Sequence, residues 1–426
     1  MSRWFVSVGV VAVSLATWVA CSGAPEAPAP TDLPAEPAPA AAKETGPAEA
    51  VPSLLVVQAQ FATEGGKPKP LPAKLTLLRY AGGLFTRQSF ADPDSNVFHK
   101  AIAWRGGLLT IGAQKAMIKH WKKEGDEWKA TVIWERSWGG KFDRFRDLEI
   151  GDVDGDGKED IVVASHDQGV IAVGREQADG TWKFDEMNQT PDTFVHEVEI
   201  GDVDGDGKKE FYATPSARNQ ASGASQPGSV YRYDFKDGAF VATHVIDFVE
   251  SHAKEISVHD MDGDGKDELY VVREAENVKE GETTTRKDPV RIFRYTLDDK
   301  GAWQKLLVSS IDDDQCRFLV YGDANLDGKP DFVAAAKSTG LWLLTRTDDG
   351  TFSNTLIDKD SGGFEHATHM ADLDGDKKLE IYVAADDQKE FRQYKWNGAS
   401  FDRKVIGAIG PADVSHITWN IQDGVF

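Results

Sequence analysis

The sequence predicts an all-β chain, a seven-bladed β-propeller with four strands in each blade. Three observations predict it. Five near-identical acidic loops are each followed by a strand-like run, and seven turn-plus-aromatic hairpins recur at a period near 50 residues. The units at the two ends of the repeat region are incomplete and complement each other.

The acidic loops are DVDGDGKED (152–160), DVDGDGKKE (202–210), DMDGDGKDE (260–268), DANLDGKPD (323–331) and DLDGDKKLE (372–380). Oxygen donors stand at positions 1, 3, 5 and 9: Asp152, Asp154, Asp156 and Asp160; Asp202, Asp204, Asp206 and Glu210; Asp260, Asp262, Asp264 and Glu268; Asp323, Asn325, Asp327 and Asp331; Asp372, Asp374, Asp376 and Glu380. The carbonyl of position 7 adds a further oxygen, from Lys158, Lys208, Lys266, Lys329 and Lys378. Ca²⁺ takes six to eight hard oxygens in a flexible cage, so the expected cofactor is calcium at five sites. An EF-hand opens in the same way but needs an acidic residue at position 12. Here that position holds Val163, Ala213, Val271, Ala334 or Val383, so each loop is expected to join two strands. Lys377 replaces the turn glycine at position 6, and Asn325 removes one charge, so the fourth and fifth loops are expected to bind most weakly.

The hairpin aromatics count the blades. Phe85, Trp128, Trp182, Phe240, Trp303, Phe352 and Phe401 each follow a tight turn, and they are expected to pack blade against blade. The unit around Phe85 lacks an inner strand before it, and the segment 416–421 has no strands after it. Three N-terminal strands and one C-terminal strand therefore complete one blade and close the ring, which leaves no open sheet edge.

These loops and strands resemble FG-GAP/VCBS repeats, as found in integrin α-subunit propellers and bacterial surface proteins, across residues 53–426. The resemblance implies the propeller fold and calcium. It leaves function open, because such propellers serve as adhesins, scaffolds and polysaccharide lyases.

Six residues before each acidic loop stands a basic or potentially basic residue: Arg146, His196, Lys254, Arg317 or His366. His99 and His416 are assigned the same place in the two blades without such a loop. Inner strands line the central channel, so these seven side chains are expected to ring one of its mouths. Like charges need compensation. Loop carbonyls could bond the ring, or an anion could bind it. Asp147, Glu197 and Glu255 follow ring residues directly, but neighbours in a regular strand point to opposite faces. The leading expectation is a binding propeller for a protein or an anionic ligand such as an acidic glycan. The alternative is a polysaccharide lyase with His196, His366 or His416 as base and Arg146 and Arg317 as clamps. A third reading is a transition-metal or redox propeller built on the ring histidines, with His369 or His252 added. The long segments 215–229 and 275–289 are expected on the same face. Trp104, Tyr321 and Trp419 are expected near the channel.

The N-terminus reads as a secretory signal over residues 1–20, with Arg3 ahead of an apolar run. The segment 17–21, TWVAC, resembles a bacterial lipobox with Cys21 as the lipidated residue. Residues 21–52 then form an Ala/Pro/Glu-rich tether that cannot bury a core. The expected location is the bacterial cell envelope, with a lipid as the only membrane contact and a monomeric propeller beyond the tether. A formal charge of −22 argues against nucleic acid as a partner. Cys316 is expected to be a buried apolar residue and not a nucleophile.

Overall fold

A computed structural model describes residues 50–140, 143–220, 222–411 and 413–426. The signal, Cys21 and nearly all of the tether lie outside the described residues. Among the described residues there is no helix. The strands form seven antiparallel sheets of four radial strands, a short extra strand (Lys67–Pro70) on the first, and a two-stranded insertion.

The closing blade is assembled as expected. Its inner strand is Ser415–Val425, which pairs with Pro52–Glu64, followed by Ala73–Ala81 and Leu84–Asp92. The other six inner strands are Phe98–Trp104, Phe145–Gly151, Thr193–Gly201, Ala253–His259, Cys316–Gly322 and Thr368–Ala371. They follow one another around the channel, and Ser415–Val425 contacts both the first and the last.

The second strand of each blade shows why these sequences choose this architecture. Asp160–Ser165, Asp331–Ala336 and Glu380–Ala385 are buried at every residue, because a blade covers them on each face. A strand covered on both faces carries a continuous apolar run in place of an alternating one. The outermost strands, such as Phe352–Asp358, face solvent and are largely polar.

The hairpin aromatics lie between blades. Trp182 packs edge-on against Trp104 of the preceding blade, Trp303 against Tyr212, Phe352 against Tyr270 and Phe85 against Tyr382. Such aromatic pairs add about 0.5–1.5 kcal/mol beyond their area. Cys316 is 1% exposed, and burial pushes its thiol well above the ordinary range, as expected of an apolar residue.

The C-terminal strand joins chain ends more than 350 residues apart in sequence, so its packing should control global stability. Ile421 is 1% exposed and packs with Leu54 and Val56. Ile421→Ala should cost about 2–5 kcal/mol in urea denaturation. Val425→Ala, at the 64% exposed end of the same strand, should change stability by about 0.5 kcal/mol or less.

Candidate functional site

The five acidic loops share one geometry. In the first, the Asp152 carboxylate accepts the backbone N–H of Gly155 (2.8 Å) and of Gly157 (2.9 Å), which folds the loop around it. The same N–H of position 6 reaches the first aspartate in the other four loops. The position-9 carboxylate accepts the N–H of position 2 in the first three loops, at 3.0–3.1 Å, and the N–H of Asn325, at position 3, in the fourth, at 3.3 Å. Carboxylate oxygens at Asp152, Asp154 and Asp160 lie within 4.8 Å of one another. So do those at Asp202, Asp204 and Asp206, at Asp260, Asp262 and Glu268, and at Asp372, Asp374 and Glu380. Converging anionic oxygens of this kind fit a hard divalent cation. Burial, reinforced by neighbouring loop carboxylates, raises Asp160 and Asp331 to about 6 and Glu210 and Glu268 to about 7. Arg175 lies 3.4 Å from Asp154, and Lys395 lies 2.8 Å from Glu380, which partly offsets the charge. Lys377 holds the position-6 turn at φ +67°. The fourth loop departs in a second way, since Leu326 has φ +58° where the other loops have glycine.

A pattern not anticipated from the sequence ties the loops to the blades. Where position 9 is glutamate, a tyrosine stands two residues later and its hydroxyl donates to that carboxylate. These pairs are Tyr212 to Glu210 (2.6 Å), Tyr270 to Glu268 (3.3 Å) and Tyr382 to Glu380 (2.8 Å). Where position 9 is aspartate, the same place holds Val162 or Val333. These three tyrosines are the ones that meet the next blade's hairpin aromatic. The alternation of EFY, ELY and EIY with DIV and DFV is visible in the sequence. It signals that a longer acid needs a partner to aim it.

The basic ring is present but differs from expectation in one member and in its neutralisation. Each inner strand is irregular at the ring residue. The register slips beside His99, Arg146, His196, Lys254 and Arg317, and His366 sits at φ +60° just before its strand. In the closing blade the slip falls at Trp419, while His416 pairs regularly with Gln60 three residues earlier. The seventh ring member is therefore Trp419 and not His416. No acidic loop follows that strand, so the sequence offers no marker from which to count back.

A bulge also turns two successive residues toward one side. Arg146 and Asp147, His99 and Lys100, and Trp419 and Asn420 all line the channel cavity. The alternation expected for Asp147, Glu197 and Glu255 thus fails. Asp147 bonds Lys100 (2.9 Å) and accepts the N–H of Val198 (2.9 Å). Glu255 accepts the N–H of Leu319 (2.9 Å).

Two acids absent from the sequence reading neutralise the ring. Glu365 accepts from Arg146 (3.3 Å) and from Arg317. Glu274 accepts from Arg317 Nε (3.1 Å) and lies 3.8 Å from Lys254. Burial opposes ionisation of Glu274, but Lys254 and Arg317 outweigh it and hold the carboxyl well below its usual range. Burial, together with the repulsion of Arg317 and Arg146, lowers Lys254 to about 8. The histidines bond to the blades: His99 to the Phe145 carbonyl, His196 to Ser216 (3.2 Å), and His366 to the Ala336 carbonyl and Ser361 (2.7 Å each). Burial holds all three below the ordinary imidazole range, with His366 at about 4. Among the described residues, groups of three or more potential metal ligands within 4.8 Å of one another occur only in four of the acidic loops, and no three of the ring histidines, His369 and His252 come together in that way.

The mouth face carries the two long segments, and they hold each other. Ser225 N–H donates to the Asn277 carbonyl (2.9 Å), Asn277 N–H to Ser225 Oγ (2.8 Å), and Thr284 Oγ1 to the Ser222 carbonyl (3.0 Å). The second segment is itself a hairpin, Glu276–Glu280 with Thr283–Asp288. Phe364, 42% exposed, lies under the Arg317 guanidinium (4.5 Å) and edge-on to Trp419. An apolar cleft of about 580 Å³, lined by Ile171, Val195, Pro215, Tyr231 and Phe248 among others, opens beside the first long segment. Trp104 is buried against Trp182, whereas Tyr321 lines the channel.

A family model for FG-GAP-like repeats matches residues 152–213 and 323–383. No curated protein matches the sequence. Among solved structures, the chain resembles a putative 6-phosphogluconolactonase from Bacteroides fragilis (13% identity, TM-score 0.53, 87% of this chain and 98% of that one). It also resembles a periplasmic gluconolactonase from Pseudomonas aeruginosa (13%, 0.51, 87% and 99%) and an apocarotenoid oxygenase from Synechocystis (12%, 0.54, 88% and 92%). At such identities the likeness shows the fold alone. The loops, the blade count and the family match together identify the chain as a seven-bladed β-propeller that carries FG-GAP-like repeats at residues 152–213 and 323–383.

Proposed function

We propose that this chain is a non-catalytic propeller whose acidic loops hold calcium, tethered to a bacterial cell envelope by a lipid on Cys21, and that it binds a protein partner on its mouth face. The observation that carries the partner reading is the paired insertion. Two long segments from adjacent blades bond to each other over the mouth. Beside them lie an exposed aromatic stacked with arginine and an apolar cleft. Aromatic residues and arginine are the side chains most enriched at binding hot spots.

An anionic ligand at the ring draws less support, because Glu274 and Glu365 already pair with Arg146, Lys254 and Arg317. The lyase reading needs an accessible base, whereas His196 and His366 are buried and bonded and His416 lies off the ring.

Deleting the hairpin tip, residues 278–286, should leave the melting temperature within a few degrees of wild type. In cross-linking on intact cells it should remove specific bands that the wild type captures. Identical bands from both chains would refute a mouth-face partner. Wild-type chain should incorporate labelled palmitate and Cys21→Ala should not; equal labelling would refute the anchor. Tyr212→Phe removes one hydrogen bond to a buried carboxylate, so in calcium titration calorimetry it should weaken the second loop by about 1 kcal/mol. The first loop, which has no such tyrosine, should be unaffected by the substitution.

A further inference from the structure

Below the ring, the channel contains a chamber of about 280 Å³, at the small end of the range for ligand pockets. Three consecutive blades place acids in its lining: Asp147, Glu197 with Glu199, and Glu255. Lys100, bonded to Asp147 and Glu149, and Arg146, 3.9 Å from Glu197, are the cations that face them. Asp147 and Glu255 have structural work, since each accepts a backbone N–H from the next blade. Among the described residues the Glu199 side chain forms neither a hydrogen bond nor a close ion pair, and Lys100 is the cation whose field reaches it. The opposite wall is uncharged at Asn420, Gln422, Thr368 and Tyr321, with His369 and His259 beside them.

A second observation, independent of the acids, points to a ligand. Asn420 lines the chamber, is 8% exposed, and its side-chain oxygen has no hydrogen-bond partner. A buried acceptor left unpaired costs about 1–3 kcal/mol, so a donor is called for there. Acids on one wall and an unpaired acceptor on the other call for a ligand with cationic N–H donors at separate points. The chamber acids do not form a group of oxygens within 4.8 Å as the loops do, so they do not outline a cage for one bare metal ion.

We propose that the channel chamber is a binding site for a small organic polycation, an aliphatic diamine or short polyamine in its ammonium form. One ammonium group pairs with Glu199 and Glu197, and another N–H donates to Asn420. Burial and mutual repulsion push Glu197 and Glu199 well above the ordinary carboxylate range and Glu255 to about 8. A bound cation would reverse that penalty and release protons. The net charge of −22 draws cations toward the molecule in general.

The test is calorimetric titration of the full chain with putrescine and spermidine in saturating Ca²⁺, which blocks the acidic loops. It is run in two buffers of different ionisation enthalpy. The expected result is one saturable site with proton release. Glu199→Gln and Asn420→Leu should each weaken it about tenfold, and Asp204→Asn, in a loop, should not. Both chamber substitutions are close in shape to the native residue, and melting curves identify a variant that fails to fold. No saturable binding would overturn the proposal. So would binding that Asp204→Asn weakens while Glu199→Gln does not, since that would place the amine on the loops.

Discussion

The structure depends on how each blade handles a carboxylate it buries at the end of an acidic loop. Position 9 opens the second strand and is buried in all five blades, so its charge sits where water solvates it poorly. The backbone N–H of position 2 satisfies one oxygen in the first three loops, and that of Asn325, at position 3, does so in the fourth. In three blades a tyrosine hydroxyl satisfies more of the demand, and the same ring packs against the next blade's hairpin aromatic. An ion held by the loop would therefore fix the carboxylate, the carboxylate would fix the tyrosine, and the tyrosine would seat the neighbouring blade. Loop and inter-blade packing form one mechanical unit. This matters in a chain with one cysteine among its described residues and thus no disulfide within them.

The channel follows a second constraint. Seven inner strands converge on one axis, and each must bend there. A bulge at the ring residue supplies the bend and leaves a backbone N–H two residues later without its ladder partner. Asp147 and Glu255 accept those N–H groups at Val198 and Leu319. Acids are thus drawn into the channel for backbone reasons, and the surplus at Glu197 and Glu199 gives the chamber its character. Above it, Glu274 and Glu365 pair with Arg146, Arg317 and Lys254, so the mouth carries an ion-pair network rather than an open cationic funnel.

Much of this was legible in the sequence because repeats report local geometry many times over. The loops, the blade count and the closure by three strands plus one all followed from spacing. The inter-blade role of Trp182, Trp303 and Phe352 followed from their recurrence. What failed had one of two causes. His416 was misplaced because the closing blade lacks the acidic loop that sets the register elsewhere. Glu274, Glu365, Phe364 and Glu199 were missed because what they meet lies in other blades, at sequence separations of up to 219 residues. A bulge, which moves Asp147 to the channel side, leaves no mark in an apolar–polar pattern.

The central claim is that the acidic loops hold calcium and thereby join the blades. It is tested most directly by thermal unfolding of the full chain with metal content measured before and after chelation. The account predicts several Ca²⁺ per chain, and a fall in melting temperature on the order of 10 °C when they are removed, reversed by calcium and not by magnesium. A chain isolated without calcium, or one that melts at the same temperature with and without it, would contradict the account.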